Sequence, residues 1–204
     1  MSSPASASPS PFYDPSHELA SYVDAYQRSG DVGVLLDQLK ALAKRFPPDL
    51  LKTAAHSYRE MPEVIIPLYE RIVADLPNDA QAMVVLANSY WLTGRGPDVV
   101  GQLAVRAKTI DPANRGAWHL WALSEGDLRK RVDRWLEVTR RFPADQLARA
   151  ALADNATSLA NDEADPVALK LAIATYESLL EESTQTAQRL AIEHALETLR
   201  SWKL

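Results

Sequence analysis

Apolar residues recur every three or four positions along most of the chain, the spacing that places side chains on one face of an α-helix. Proline and glycine fall mostly between these periodic stretches, where proline suits a first helical turn or blocks continuation of a helix. The pattern predicts an all-α chain without strands. The predicted helices are 15–29, 32–46, 48–60, 63–76, 79–93, 97–110, 114–125, 128–142, 144–161, 166–182 and 184–202.

These predicted helices recur in pairs. A proline follows every second helix, at positions 47, 77, 112 and 143, so the period is 30 to 35 residues. In most pairs, the first helix carries a large residue, then two adjacent residues of which the second is small, then an aromatic residue. The residues in these positions are Leu19, Tyr22, Val23 and Tyr26; Leu51, Ala54, Ala55 and Tyr58; Met83, Leu86, Ala87 and Tyr90; and Trp118, Trp121 and Ala122.

Residues 16–182 resemble the tetratricopeptide repeat family in this pattern. A fifth pair is weaker, with Leu147, Ala150 and Ala151 predicted to pack on its first helix. The last helix resembles the helix that closes such arrays. We expect it to cover the open end of the stack with Ala187, Leu190, Ala191, Leu196, Leu199 and Trp202.

The resemblance implies a right-handed superhelical α-solenoid of about five antiparallel helix pairs plus a C-terminal capping helix. Residues 1–14 are expected to form a flexible tail rich in serine and proline, and residues 15–204 a single repeat domain. Another helical-hairpin array is the alternative, because leucine, alanine and tyrosine at helical spacing also build ordinary bundles.

The composition and motifs of the chain argue against several classes of function. The 204 residues carry a formal net charge of −5 and no cysteine, which argues against nucleic-acid partners and removes thiolate chemistry. The four histidines lie on different predicted helices without a metal-binding spacing, and no phosphate loop or nucleophile motif occurs. We therefore expect no metal, no cofactor and no enzymatic activity.

Two further patterns concern the location of the chain. The first eighteen residues have neither a basic start nor a continuous apolar run, so they do not read as a signal peptide. Charged residues interrupt every apolar run before it reaches the ~20 residues that span a bilayer. The sequence therefore predicts a cytoplasmic protein without a transmembrane segment.

The resemblance to the family also implies a concave groove lined by the first helix of each pair. Its most distinctive part combines basic, amide and aromatic residues, which could hold a carboxylate and an apolar side chain of an extended peptide. The residues of this predicted groove are Lys52, His56, Arg59, Gln81, Asn88, Trp91 and His119. A merely solvated basic face is the alternative interpretation.

Three functions remain open at this stage. The first is a protein-protein interaction adaptor or scaffold that holds a partner segment in the groove. The second is a structural subunit of a larger assembly, packed through its outer faces or its N-terminal tail. The third is a helical enzyme or ligand-binding protein, which would need a deep pocket with converging histidine or carboxylate groups.

Overall fold

The computed structural model describes residues 14–203, and within them the chain is all-helical without strands. The predicted tail therefore lies, apart from Asp14, outside the described residues. The helices are α1 (Pro15–Ser29), α2 (Val32–Arg45), α3 (Pro48–Ala55), α4 (Pro62–Asp75), α5 (Ala80–Leu92), α6 (Pro97–Ile110), α7 (Arg115–Leu123), α8 (Leu128–Arg141), α9 (Gln146–Glu163), α10 (Pro166–Glu182) and α11 (Thr186–Ser201). A short 3-10 turn, His56–Tyr58, follows α3.

Short polar side chains fix where most of these helices begin. The side chain before the helix accepts a hydrogen bond from a backbone N–H of the first turn, which would otherwise have no partner. The capping residues are Asp14, Asp31, Asp79, Asn114, Asp127, Asp145 and Asp165. Proline occupies an initial position in α1, α3, α4, α6 and α10, where its missing N–H costs little.

The helices pack as the predicted pairs. Within the pairs, α1 contacts α2, α3 contacts α4, α5 contacts α6, α7 contacts α8, and α9 contacts α10. Contacts of α1 with α3, α4 with α5, α6 with α7 and α8 with α9 join each pair to the next, and α11 packs on α10. This succession is a helical solenoid, because each hairpin buries its apolar face against its neighbours.

Helix α7 contributes to two apolar cores. Its Ala117 and Leu120 belong to a core that extends back to α1, whereas Trp118 and Ala122 belong to a second core that extends forward to α11. Trp118 is 8% exposed and Trp135 of α8 is 2% exposed. Trp118 is therefore buried, as its position in the repeat pattern predicts.

Helix α3 is shorter than predicted. The sequence indicated one helix over 48–60, but the α-helix ends at Ala55 and the chain tightens into the 3-10 turn. The N–H of His56 accordingly bonds to Thr53 O, one residue nearer than in an α-helix. Since Arg59 lies beyond both elements, Lys52, His56 and Arg59 do not share one face of a continuous helix.

The prediction of which residues pack at the C-terminal end was also partly wrong. In α9, Leu147 is 71% exposed, and Leu152 and Ala153 are buried instead. In α11, the predicted inward residues Ala187, Leu190 and Ala191 are exposed, and the buried ones are Ile192, Leu196 and Leu199. Both helices offer apolar residues on more than one face, so helical periodicity alone could not choose the buried one.

Candidate functional site

A pocket of about 460 Å³ lies between the end of α3 and the start of α5, and we call it the α3–α5 pocket. It brings together four of the residues predicted for the groove. The residues that line it are Lys52, Thr53, His56, Ser57, Arg59, Tyr69, Asp79, Gln81 and Ala82. Two of these residues, His56 and Ser57, belong to the 3-10 turn that follows α3.

The ammonium group of Lys52 is already paired with carboxylates of the protein and is part of the structure of this pocket. Its ammonium lies 2.8 Å from the carboxylate of Asp79 and 3.2 Å from that of Asp49. The hydrogen bond to Asp79 raises the pKa of Lys52. Partial burial would raise the pKa of Asp79, but the hydrogen bonds from Lys52 and from the N–H of Ala82 lower it overall. Lys52 thus neutralises the acid that caps α5.

Arg59 and His56 are available to a ligand. Both are exposed, and neither forms an ion pair within 4 Å among residues 14–203. Burial raises the pKa of the Tyr69 hydroxyl, and the positive charges of Arg59 and Lys52 oppose that rise. The amide oxygen of Gln81 accepts a hydrogen bond from Asn114, so its NH₂ group remains as a donor. The pocket therefore offers mainly hydrogen-bond donors.

Asn88 and Trp91 lie further along α5 and do not line the α3–α5 pocket. Asn88 is exposed, and Trp91 is 39% exposed, unlike the buried tryptophans of α7 and α8. Both follow Gln81 on one helix at spacings that keep them near the same face. They add an exposed amide and a large exposed aromatic side chain to the helix that carries Gln81.

The side chain of His119 on α7 is hydrogen-bonded to the carboxylate of Asp145. Its Nε2 lies 2.7 Å from Oδ2 of Asp145, whose side chain is 3% exposed, and its ring packs edge-on against Trp135. Burial would raise the pKa of Asp145, but the N–H of Ala148, His119 and Arg115 together lower it. The structure does not bring His119 into the α3–α5 pocket.

The folded chain has counterparts among solved structures, although its sequence matches no family model and no curated protein. TTC0263, a thermophilic TPR protein of Thermus thermophilus, aligns at 18% identity and a TM-score of 0.54, over 91% of this chain and 98% of that one. A MamA structure aligns at 14% identity with a TM-score of 0.55, over 86% of this chain and 96% of that one. MamA of AMB-1 aligns at 16% identity with a TM-score of 0.54, over 82% of this chain and 99% of that one. The chain has a tetratricopeptide repeat (TPR) fold.

Sequence reasoning missed several residues of the pocket on this TPR fold. Asp79 was recognisable only as a residue preceding a helix, where aspartate favours capping. Its pairing with Lys52 depends on how α3 approaches α5. Tyr69 reaches the pocket from α4, the partner helix of α3. The turn residue Ser57 became accessible because α3 ends early, and no separate signal in the sequence indicated that early end.

Among residues 14–203, no group of three or more histidine, aspartate or glutamate side chains is arranged to hold a metal ion. Within the same residues, no helix is both long enough and apolar enough to cross a membrane.

Proposed function

We propose that this TPR-fold chain is a non-enzymatic protein-interaction scaffold that holds an acidic segment of a partner protein in the α3–α5 pocket. One observation carries the proposal. Arg59 is an exposed guanidinium without an acidic partner among the described residues, whereas Lys52 beside it is already neutralised by Asp79. A guanidinium binds carboxylates through two parallel hydrogen bonds, which gives direction as well as affinity.

The rest of the pocket favours the same ligand. Gln81 presents an amide donor, and the exposed His56 adds a group that carries positive charge when protonated. The pocket carboxylate of Asp79 is already engaged by Lys52 and the N–H of Ala82, so it repels an incoming acid less than a free carboxylate would. Trp91 offers an apolar surface for a neighbouring side chain of the same segment.

The test is capture of partners by the full chain from a lysate of its own cells, followed by mass spectrometry. Arg59→Glu should abolish capture of the proposed class of partner, because it places a carboxylate where the ligand binds. Arg140→Glu is the matched control, since Arg140 is exposed on α8 and has no ion pair among the described residues. If the two variants, both of unchanged helicity, capture equally, the assignment of this pocket is refuted.

A structural subunit is the second candidate, and the outer helices supply an observation for it. A largely apolar groove of about 420 Å³ lies between α2 and α4, with Val32, Leu36 and Ile66 among its lining residues. Val32 is 46% exposed. This candidate predicts copurification in a fixed stoichiometry that Arg59→Glu leaves unchanged.

The expectations of a single repeat domain over 15–204 and of a cytoplasmic location stay predictions. Limited proteolysis tests the first, since one domain should yield one stable fragment that begins near residue 15. Microscopy of a tagged chain tests the second.

A further inference from the structure

A second groove lies between α10 and α11, remote in sequence from the α3–α5 pocket, and we call it the C-terminal groove. Its volume is about 510 Å³. Both of its walls are helices, and its lining residues are Glu177, Leu180, Glu181, Glu193, Leu196, Glu197 and Arg200. Nothing in the proposed function uses these residues.

The base of the C-terminal groove is apolar. Leu196 is 2% exposed and Leu180 is partly buried, and both belong to a small core between α10 and α11. One turn before Glu193, Leu190 is 61% exposed. Because residues three and seven positions apart share a helical face, Leu190, Glu193 and Glu197 form one continuous stripe along α11. One exposed apolar side chain therefore lies beside the groove, on the same face of α11 as two of its glutamates.

The rim of the C-terminal groove is predominantly acidic. Arg200 neutralises Glu177 at 2.7 Å, and Arg189 lies 3.7 Å from Glu193. Glu181 and Glu197 are exposed and form no ion pair within 4 Å in the described part of the chain. An apolar base with free carboxylates on both walls is complementary to a ligand with an apolar face and flanking positive charges.

The helical walls of the groove also indicate whether a bound partner segment would be extended or helical. The backbone N–H and C=O groups within α10 and α11 are bonded inside their own helices, so the groove offers no edge to which a β-strand could be added. We propose that the C-terminal groove is a docking surface for a basic amphipathic helix of a partner protein. Its apolar face lies over Leu180 and Leu190, and its lysine or arginine side chains pair with Glu181 and Glu197.

The experiment uses the full chain and two synthetic peptides. Each peptide carries leucine at helical positions i, i+3, i+4 and i+7, with lysine at the other positions in one peptide and glutamate in its sibling. The lysine peptide should bind, as measured by fluorescence anisotropy, and the glutamate peptide should not. Glu181→Lys/Glu197→Lys should weaken binding of the lysine peptide by about tenfold, since two attractive charges become repulsive.

Glu60→Lys/Glu137→Lys is the matched control, because it changes the net charge equally with exposed glutamates that lie outside the groove. It should weaken binding by no more than about twofold, the residual effect of a long-range field. Leu190→Lys is a further variant at an exposed position, so it tests this apolar side chain even where the double variant folds poorly. It should weaken binding by about fivefold through lost apolar contact and added repulsion.

Three outcomes would overturn the proposal. The first is equal weakening by both double variants, which would show only attraction to net negative charge. The second is equal binding of the two peptides. The third is a dimer of the chain alone, seen by light scattering and lost in Glu181→Lys/Glu197→Lys, which would identify a second copy as the occupant. Binding of an acidic segment at Arg59 is measured separately, so failure here leaves the proposed function intact.

Discussion

The ammonium of Lys52 lies 2.8 Å from the carboxylate of Asp79, and this ion pair joins α3 of the second helix pair to the start of α5 in the third. Asp79 also caps α5 by accepting a hydrogen bond from the N–H of Ala82. One carboxylate thus fixes both the start of a helix and the position of the neighbouring cation. Lys52 is therefore part of the structure of the pocket, whereas the binding role that we propose falls to Arg59.

We predict an energetic coupling between Lys52 and Asp79. In a double-mutant cycle, Lys52→Met and Asp79→Asn should show a coupling of about 0.5–1 kcal/mol in the free energy of unfolding, because the pair is only partly buried. Asparagine keeps the capping function, so the cycle isolates the ion pair. Urea denaturation measures it, and strictly additive effects would show that the ion pair contributes nothing to stability.

Asp145 should be among the most sensitive polar positions of the fold. Asp145→Ala removes both the cap of α9 and the partner of His119, and should lower the free energy of unfolding by about 2 kcal/mol. Asp145→Asn, which retains a capping side chain, should lower the free energy of unfolding by about half as much. Urea denaturation of the two variants checks this order, and equal losses would contradict the role of the cap.

The lowered pKa of Asp145 also predicts a dependence on pH. A carboxyl whose pKa is lower in the folded state stabilises the fold fully above its unfolded pKa, which is near 3.8. That stabilisation is lost as the pH falls through the folded pKa. The stability advantage of the native chain over Asp145→Asn should therefore shrink as the pH falls from about 5 to values below 3.8. A constant difference in urea midpoint would argue against the shift.

Gly116 of α7 lies close to Val84 of α5. A Cβ atom added there would lie 2.9 Å from Cγ1 of Val84, a short branched side chain that cannot swing aside. Gly116→Ala should therefore destabilise the chain by about 1–2 kcal/mol, despite the better helix propensity of alanine. In a Val84→Ala background the same substitution should be stabilising by about 0.5 kcal/mol. Thermal denaturation of the four chains tests this reversal of sign.

The pairing of helices was predictable from the sequence because its signals are local. Aspartate or asparagine before a helix and proline in its first turn act within a few residues, and they place most helix starts within two residues of the prediction. Burial at the C-terminal end was not predictable in this way. Leu147 and Leu190 are apolar like core residues, but tertiary packing leaves both of them exposed.

The candidate site was predictable as a set of residues but not as a geometry. Lys52, His56, Arg59 and Gln81 line one pocket, but only Lys52 and Gln81 lie on α-helices, since His56 is in the 3-10 turn and Arg59 follows it. The sequence could not show that Lys52 is neutralised, since its partner lies 27 residues away. His119 also matched the repeat position, and only the tertiary contact with Asp145 removes it from the binding surface.

Hydrogen–deuterium exchange on the full chain bound to a partner captured through Arg59 tests the central claim most directly. The account predicts slower exchange in the 3-10 turn at 56–58 and in the first turns of α5, with little change in α2, α6 and α8. Protection confined to those outer helices, with unchanged exchange at 56–58, would contradict it and support a structural subunit instead.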